Sequence, residues 1–147
     1  MLAEVIVEPS SLDRAAGGGI TGRLALRVGD AWFPDAQWHD FPVVVLAWWL
    51  RELARPLSVS GASARCRFME GPMAFKVVRQ TTGGWSVVLV EDTREHPETE
   101  VDGAALIRSI STAADRLLTE CVRRGWRGED VEDLRVANEA VSGYRTV

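Results

Sequence analysis

The chain has 147 residues, of which 46% are hydrophobic and 26% charged, the size and balance of one globular domain spanning 1–147. Such a length buries roughly 68–70% of its unfolded surface, so no disulfide or metal is needed for folding. A net charge of −4 disfavours nonspecific nucleic-acid binding, and the longest apolar run, the ten residues Phe41 to Leu50, falls well short of the roughly 20 that cross a bilayer.

In chain order, Val5-Ile6-Val7 reads as a short first strand that ends at Pro9-Ser10-Ser11. Residues 13–22, with Gly17-Gly18-Gly19, read as a flexible loop. Leu24, Leu26 and Val28 alternate with Arg23, Ala25 and Arg27, the period of a half-buried strand. Gly29-Asp30 turns the chain, and Ala31-Trp32-Phe33 returns as a hairpin partner. Asp40 is placed to cap a helix that begins near Phe41 and Pro42, runs to about Arg55 and stops before Pro56. Its polar stripe is narrow, so this helix is expected to be nearly all buried.

A loop over 58–63 leads to an antiparallel meander. Cys66 and Phe68 alternate with Arg65 and Arg67; Glu70-Gly71-Pro72 turns; Phe75 and Val77 alternate with Lys76; Thr82-Gly83-Gly84 turns again; Trp85 to Val90 returns. Residues 91–102 form an acidic connection with six carboxylates. Asp102 then caps the longest helix, about 103–124, whose apolar stripe includes Leu106, Ile110, Ala114 and Leu117 and which stops at Gly125. A shorter helix, roughly 129–141, opens with Glu129, Asp130, Glu132 and Asp133, where the helix dipole favours acids. This order predicts an α+β fold with a single antiparallel sheet of about five or six strands and helices packed on one face.

Motifs with catalytic chemistry are sparse. Gly17 to Gly22 matches G-x-G-x-x-G in letters, but the glycines lead into a strand rather than a helix, so no pyrophosphate site is expected. Cys66, His39 and Asp40 could be composed into a thiol triad, yet Cys66 lies on the inward face of its strand. Cys66 and Cys121 both sit among apolar neighbours and read as buried free thiols. Two separated histidines, His39 and His96, do not make a zinc site. The acids of residues 91–102 lack the spacing and glycine of an EF-hand and read as a solvated loop. The expectation is therefore no cofactor, no metal and no catalytic residue.

Two surfaces stand out. Trp32, Trp38, Trp48 and Trp49 fall within eighteen residues, and adjacent helical residues point about 100° apart, so Trp48 and Trp49 cannot both face one neighbour. Two readings stand: both lie in a core squeezed between sheet and helices, or Trp32, Trp38 and one of the pair line a partner-binding or ligand-binding surface, since exposed Trp is strongly enriched at interface hot spots. Arg23, Arg27, Arg65, Arg67 and Lys76 occupy the outward alternation of their strands; if those strands are neighbours they make one sheet face basic, to dock an acidic partner or simply to be paired and solvated.

From Trp38-His39-Asp40-Phe41-Pro42 through Trp48-Trp49, followed by Cys66-Arg67-Phe68-Met69-Glu70-Gly71-Pro72, the chain resembles small actinobacterial proteins and is similar to single-domain immunity proteins of bacterial polymorphic-toxin systems. The likeness covers roughly residues 23–90. It implies a non-enzymatic, cytoplasmic, acidic protein that neutralises a toxin domain by blocking its site. A cytoplasmic location is also expected because Met1 to Glu8 carries no basic n-region.

The residues read as binding a partner protein are Trp32, Trp38, His39, Asp40 and Trp49, with Asp92, Glu95 and Glu98 as steering charges. Neither nucleic acid nor membrane is expected as a partner. Two alternatives stand beside this reading. One is a small-molecule binder or minor enzyme with a Trp-lined pocket that uses His39 and Asp40. The other is a homo-oligomer with its tryptophans at the subunit contact.

Overall fold

A computed structural model describes residues 1–144. β1 (Ala3–Val7), β2 (Asp13–Arg14), β3 (Ile20–Val28), β4 (Ala31–Phe33) and β5 (His39–Asp40) form one antiparallel sheet. β6 (Ser63–Arg67), β7 (Met73–Arg79), β8 (Trp85–Glu91), β9 (Arg94–Glu95) and β10 (Thr99–Val101) form a second. α1 (Pro42–Ser58) connects the sheets, and α2 (Gly103–Arg123) and α3 (Glu129–Val141) follow the second.

The α+β class and the antiparallel pairing are as the sequence predicts, but the strands divide between two sheets instead of joining one. The first is organised around β3. Leu26 and Val28 pair with β1 on one side and with β4 on the other, while Gly22 and Arg23 pair with β5. Both edges of β3 are therefore taken. The outer edge of β1 is covered by α2, where the Val5 amide donates to the Ser109 hydroxyl at 2.7 Å. The later hairpins build the separate meander β6-β7-β8-β10.

α1 packs against β3 of the first sheet, β6 and β7 of the second, and both other helices. Its nearly unbroken apolar sequence follows from that position: Val43, Val45, Leu46, Trp49, Leu50 and Leu53 are all buried. The 100° separation of adjacent helical residues sends Trp49 into the core and leaves Trp48 half-buried at the edge. Phe68 is the hub of an aromatic cluster that joins the layers. Its ring lies edge-on to Phe33 of β4 (5.9 Å), Trp38 (6.3 Å) and Trp49 of α1 (5.1 Å), and Trp49 in turn meets Phe75 of β7 (4.9 Å).

α1 also runs past Pro56 to Ser58, where a stop before the proline was expected. Proline lacks an amide donor and normally weakens a helix interior. Here the Arg79 guanidinium of β7 donates to the carbonyls of Pro56 and Leu57 at 3.1 and 3.0 Å, which satisfies the last turn from outside the helix. α2 begins as read from the sequence: the Asp102 carboxylate accepts from the Ala105 amide at 2.9 Å. A polar relay, buried at Ser111 and Asn138, fastens α2 to α3, with the Ser111 hydroxyl donating to the Asn138 carbonyl oxygen and the Asn138 amide donating to exposed Asp115. Cys66 and Cys121 are buried and unbridged, as expected.

Gly103, the first residue of α2, carries the indole of Trp85 directly over its Cα, so that a Cβ there would fall inside the ring. Gly103→Ala is therefore expected to destabilise the protein by about 1–3 kcal/mol through overpacking, despite alanine's better helix propensity. Urea unfolding measures this; an unchanged or raised midpoint would show that the packing is loose.

Candidate functional site

The chain enters the site through the turn that follows β4. The Asp35 carboxylate accepts from the Gln37 amide at 2.7 Å, an Asx-turn that aims Trp38 back across β3. β5 then pairs His39 with Arg23 and Asp40 with Gly22. Side chains alternate on a strand, so His39 points out and Asp40 points in.

Asp40 is fully buried, and a carboxylate there must find donors for both oxygens. It finds four. Oδ1 accepts from the amides of Phe41 (2.7 Å) and Met69 (3.2 Å), and Oδ2 accepts from the indole Nε1 of Trp38 (2.9 Å) and the amide of Glu70 (3.2 Å). One side chain thus ties together β5, the start of α1 and the β6–β7 turn. This corrects its expected role as the helix cap. Phe41 occupies the cap position with no side-chain bond, and Asp40, one residue earlier, reaches across to the other sheet's hairpin. Gly71 takes a positive φ of 72°, a backbone conformation that favours glycine, with the far edge of the Trp38 indole beside it.

Above this tie is a cleft of about 560 Å³. Its polar lining includes Asp35, Gln37, His39 and Glu70, and its aromatic lining is Trp38 and Phe41. Asp35, Gln37, His39 and Glu70 are exposed at its rim. Glu70 and Asp35 were missed from sequence because the residues of a turn carry no sign of what lies across from them. The one available signal was the Pro34-Asp35 pair, which favours a turn that presents its carboxylate.

The cleft gathers Trp38, His39 and Asp40 of the residues expected to bind a partner, and the others lie elsewhere. Trp49 is fully buried and donates its indole N–H to the Arg67 carbonyl at 2.7 Å, so it offers no surface. Asp40 is likewise buried, and it shapes the cleft from beneath. Trp32 lies on β4 between the guanidiniums of Arg23 and Arg27, each 5.4 Å from its ring. Asp92 sits at a positive-φ turn after β8, where its amide donates to the Pro72 carbonyl at 2.7 Å, next to the turn that carries Glu70. Glu95 pairs with Lys76 of β7, and Glu98 accepts from the Ser86 hydroxyl and the Gln80 amide. Of the expected steering charges, Asp92 is the one whose side chain makes no hydrogen bond or ion pair among the described residues.

The common basic face is also divided. Arg23 and Arg27 belong to the first sheet, and Arg65, Arg67 and Lys76 to the second, where Arg65 lies opposite Lys76. The composed thiol triad is not assembled. Cys66 is buried, and desolvation pushes its thiol up, with the Glu52 carboxylate adding to the shift. Burial raises the Cys121 thiol as well. Asp40 has its oxygens committed to the four N–H groups, none of them from His39. Among the described residues, no three His, Cys, Asp or Glu side chains converge to hold a metal ion.

Comparison with protein-family models, with curated proteins and with solved structures found no match.

Asp40→Asn preserves the shape of the side chain and keeps one acceptor oxygen, but its NH2 group would face two N–H donors. The expected loss is roughly 1–3 kcal/mol, the scale of buried donors left unsatisfied. It should appear as a lower urea midpoint at constant m-value. A variant within 0.5 kcal/mol of wild type, about the scatter of ordinary surface substitutions, would mean that the four bonds contribute little.

Proposed function

We propose that this chain is a non-catalytic protein-binding module of the immunity-inhibitor kind, acting by occlusion of a partner protein such as a toxin domain, with the Trp38 cleft at the centre of its docking surface. The supporting observation is the construction of that cleft. The Asp40 carboxylate holds Trp38 and the 69–70 amides in one network, so both walls are set before any partner arrives. A docking surface fixed in advance loses less conformational freedom on association and keeps more of its contact energy as affinity. An aromatic floor within a polar rim is the common anatomy of an interface centre.

The exposed carboxylates Asp35, Glu70 and Asp92 stand around this end of the molecule, and the net charge is −4. Charges so placed speed the approach of a basic partner more than they tighten the complex. A cytoplasmic location accords with such a role. The second reading is a small-molecule ligand, favoured by a volume within the range of about 300–1,000 Å³ common for such sites.

A photo-crosslinking amino acid at exposed Gln37 separates the two, with the same group at exposed Val122 of α2 as control. In cells of the source organism, the protein-binding reading predicts one stoichiometric protein adduct from position 37 and none from position 122. Equal labelling at both positions, or no protein adduct at 37, would contradict it.

A further inference from the structure

Five of the six tryptophans are half-buried, and four of those five already have a cation of this chain against the ring. Trp32 has Arg23 and Arg27 at 5.4 Å each, Trp48 has Arg67 at 5.8 Å, Trp85 has Arg79 at 5.7 Å and Trp126 has Arg124 at 4.8 Å. Trp38 is the exception among the described residues. It lines a cleft whose walls contain no Lys or Arg and whose exposed charges include the carboxylates of Asp35 and Glu70. Arg23, opposite His39 in the strand register, does not supply a cation there. It is held elsewhere: Nε donates to the Ala36 carbonyl at 2.8 Å, the group lies over Trp32, and Nη1 is 3.8 Å from Glu8.

From this contrast we infer that the Trp38 cleft receives an arginine side chain presented by the partner protein, stacked on the indole and paired with Asp35 and Glu70. The inference deepens the protein-binding reading and rests on it. Arginine fits better than lysine for two reasons. Its planar guanidinium stacks on an aromatic face, and its fork of donors can engage two carboxylates at once, whereas an ammonium is a compact, strongly hydrated point charge. Asp40 takes no part in pairing the incoming cation, because its oxygens already accept four bonds. It acts as a positioning residue that holds the indole from below.

The test uses the full chain and three capped tripeptides, Gly-Arg-Gly, Gly-Lys-Gly and Gly-citrulline-Gly, followed through the assigned indole N–H resonances. The arginine peptide is expected to shift the Trp38 signal saturably while the neutral citrulline peptide, which has nearly the same shape, does not. Glu70→Gln removes a carboxylate that has no hydrogen-bond partner among the described residues, so the fold should persist. The affinity for the arginine peptide should then fall about three- to fivefold, the scale of one exposed ion pair, and rising salt should weaken binding in the same direction.

Equal shifts from citrulline or lysine, or a response centred on Trp32 or Trp48, would overturn the inference. A protein adduct at position 37 without an arginine shift would also overturn it while leaving the protein-binding reading intact. A selective arginine shift without any adduct would keep the cation site and remove the protein-binding reading.

Discussion

A buried carboxylate is among the most costly groups a fold can contain unless donors surround it. Asp40 is fully buried, and its two oxygens accept from four N–H groups, three of them backbone amides. No other described side chain links the first sheet, the start of α1 and the β6–β7 turn in one step. The cleft depends on this tie. Without it, Trp38 would lose the partner of its indole N–H, and the amides of Met69 and Glu70 would turn to water. The aromatic cluster around Phe68 gains from the same geometry, because the turn that Asp40 grips follows Phe68 directly.

Arginine and tryptophan divide the surface work between them. Sixteen of the seventeen Lys and Arg residues are arginine, and five of these lie against indoles. A guanidinium over an indole covers apolar area while keeping its own charge near water. Arg79 adds a structural duty, since it both stacks on Trp85 and closes the last turn of α1. This pattern makes Trp38 informative: its environment is acidic where those of the other half-buried tryptophans are basic.

Local features were legible in the sequence. The span of α3 and the start of α2, the Asp102 cap and the inward alternation of Leu24, Leu26 and Val28 all follow from periodicity and capping chemistry within a few residues. Features set by distant partners were not. The last turn of α1, past Pro56, has its carbonyls met by Arg79, 23 residues from Pro56. The split into two sheets reflects which strands pair with β3 and which with β7 and β8, which no period reveals. Asp40 reads in the sequence as a helix cap and a partner-binding residue, but its work lies with amides 29 and 30 residues along the chain. Trp48 and Trp49 illustrate the limit most simply: helical geometry required them to diverge, and only packing decided that Trp49 would face the core.

The most direct measurement is amide hydrogen exchange at Met69 and Glu70 in the wild-type chain. Both side chains are exposed on a hairpin turn, where an ordinary amide exchanges quickly. If Asp40 holds them, the two amides should exchange together, on the order of a hundredfold or more slower than in an unstructured chain. Exchange at the unstructured rate would contradict the account, because the cleft would then have no fixed wall opposite Trp38.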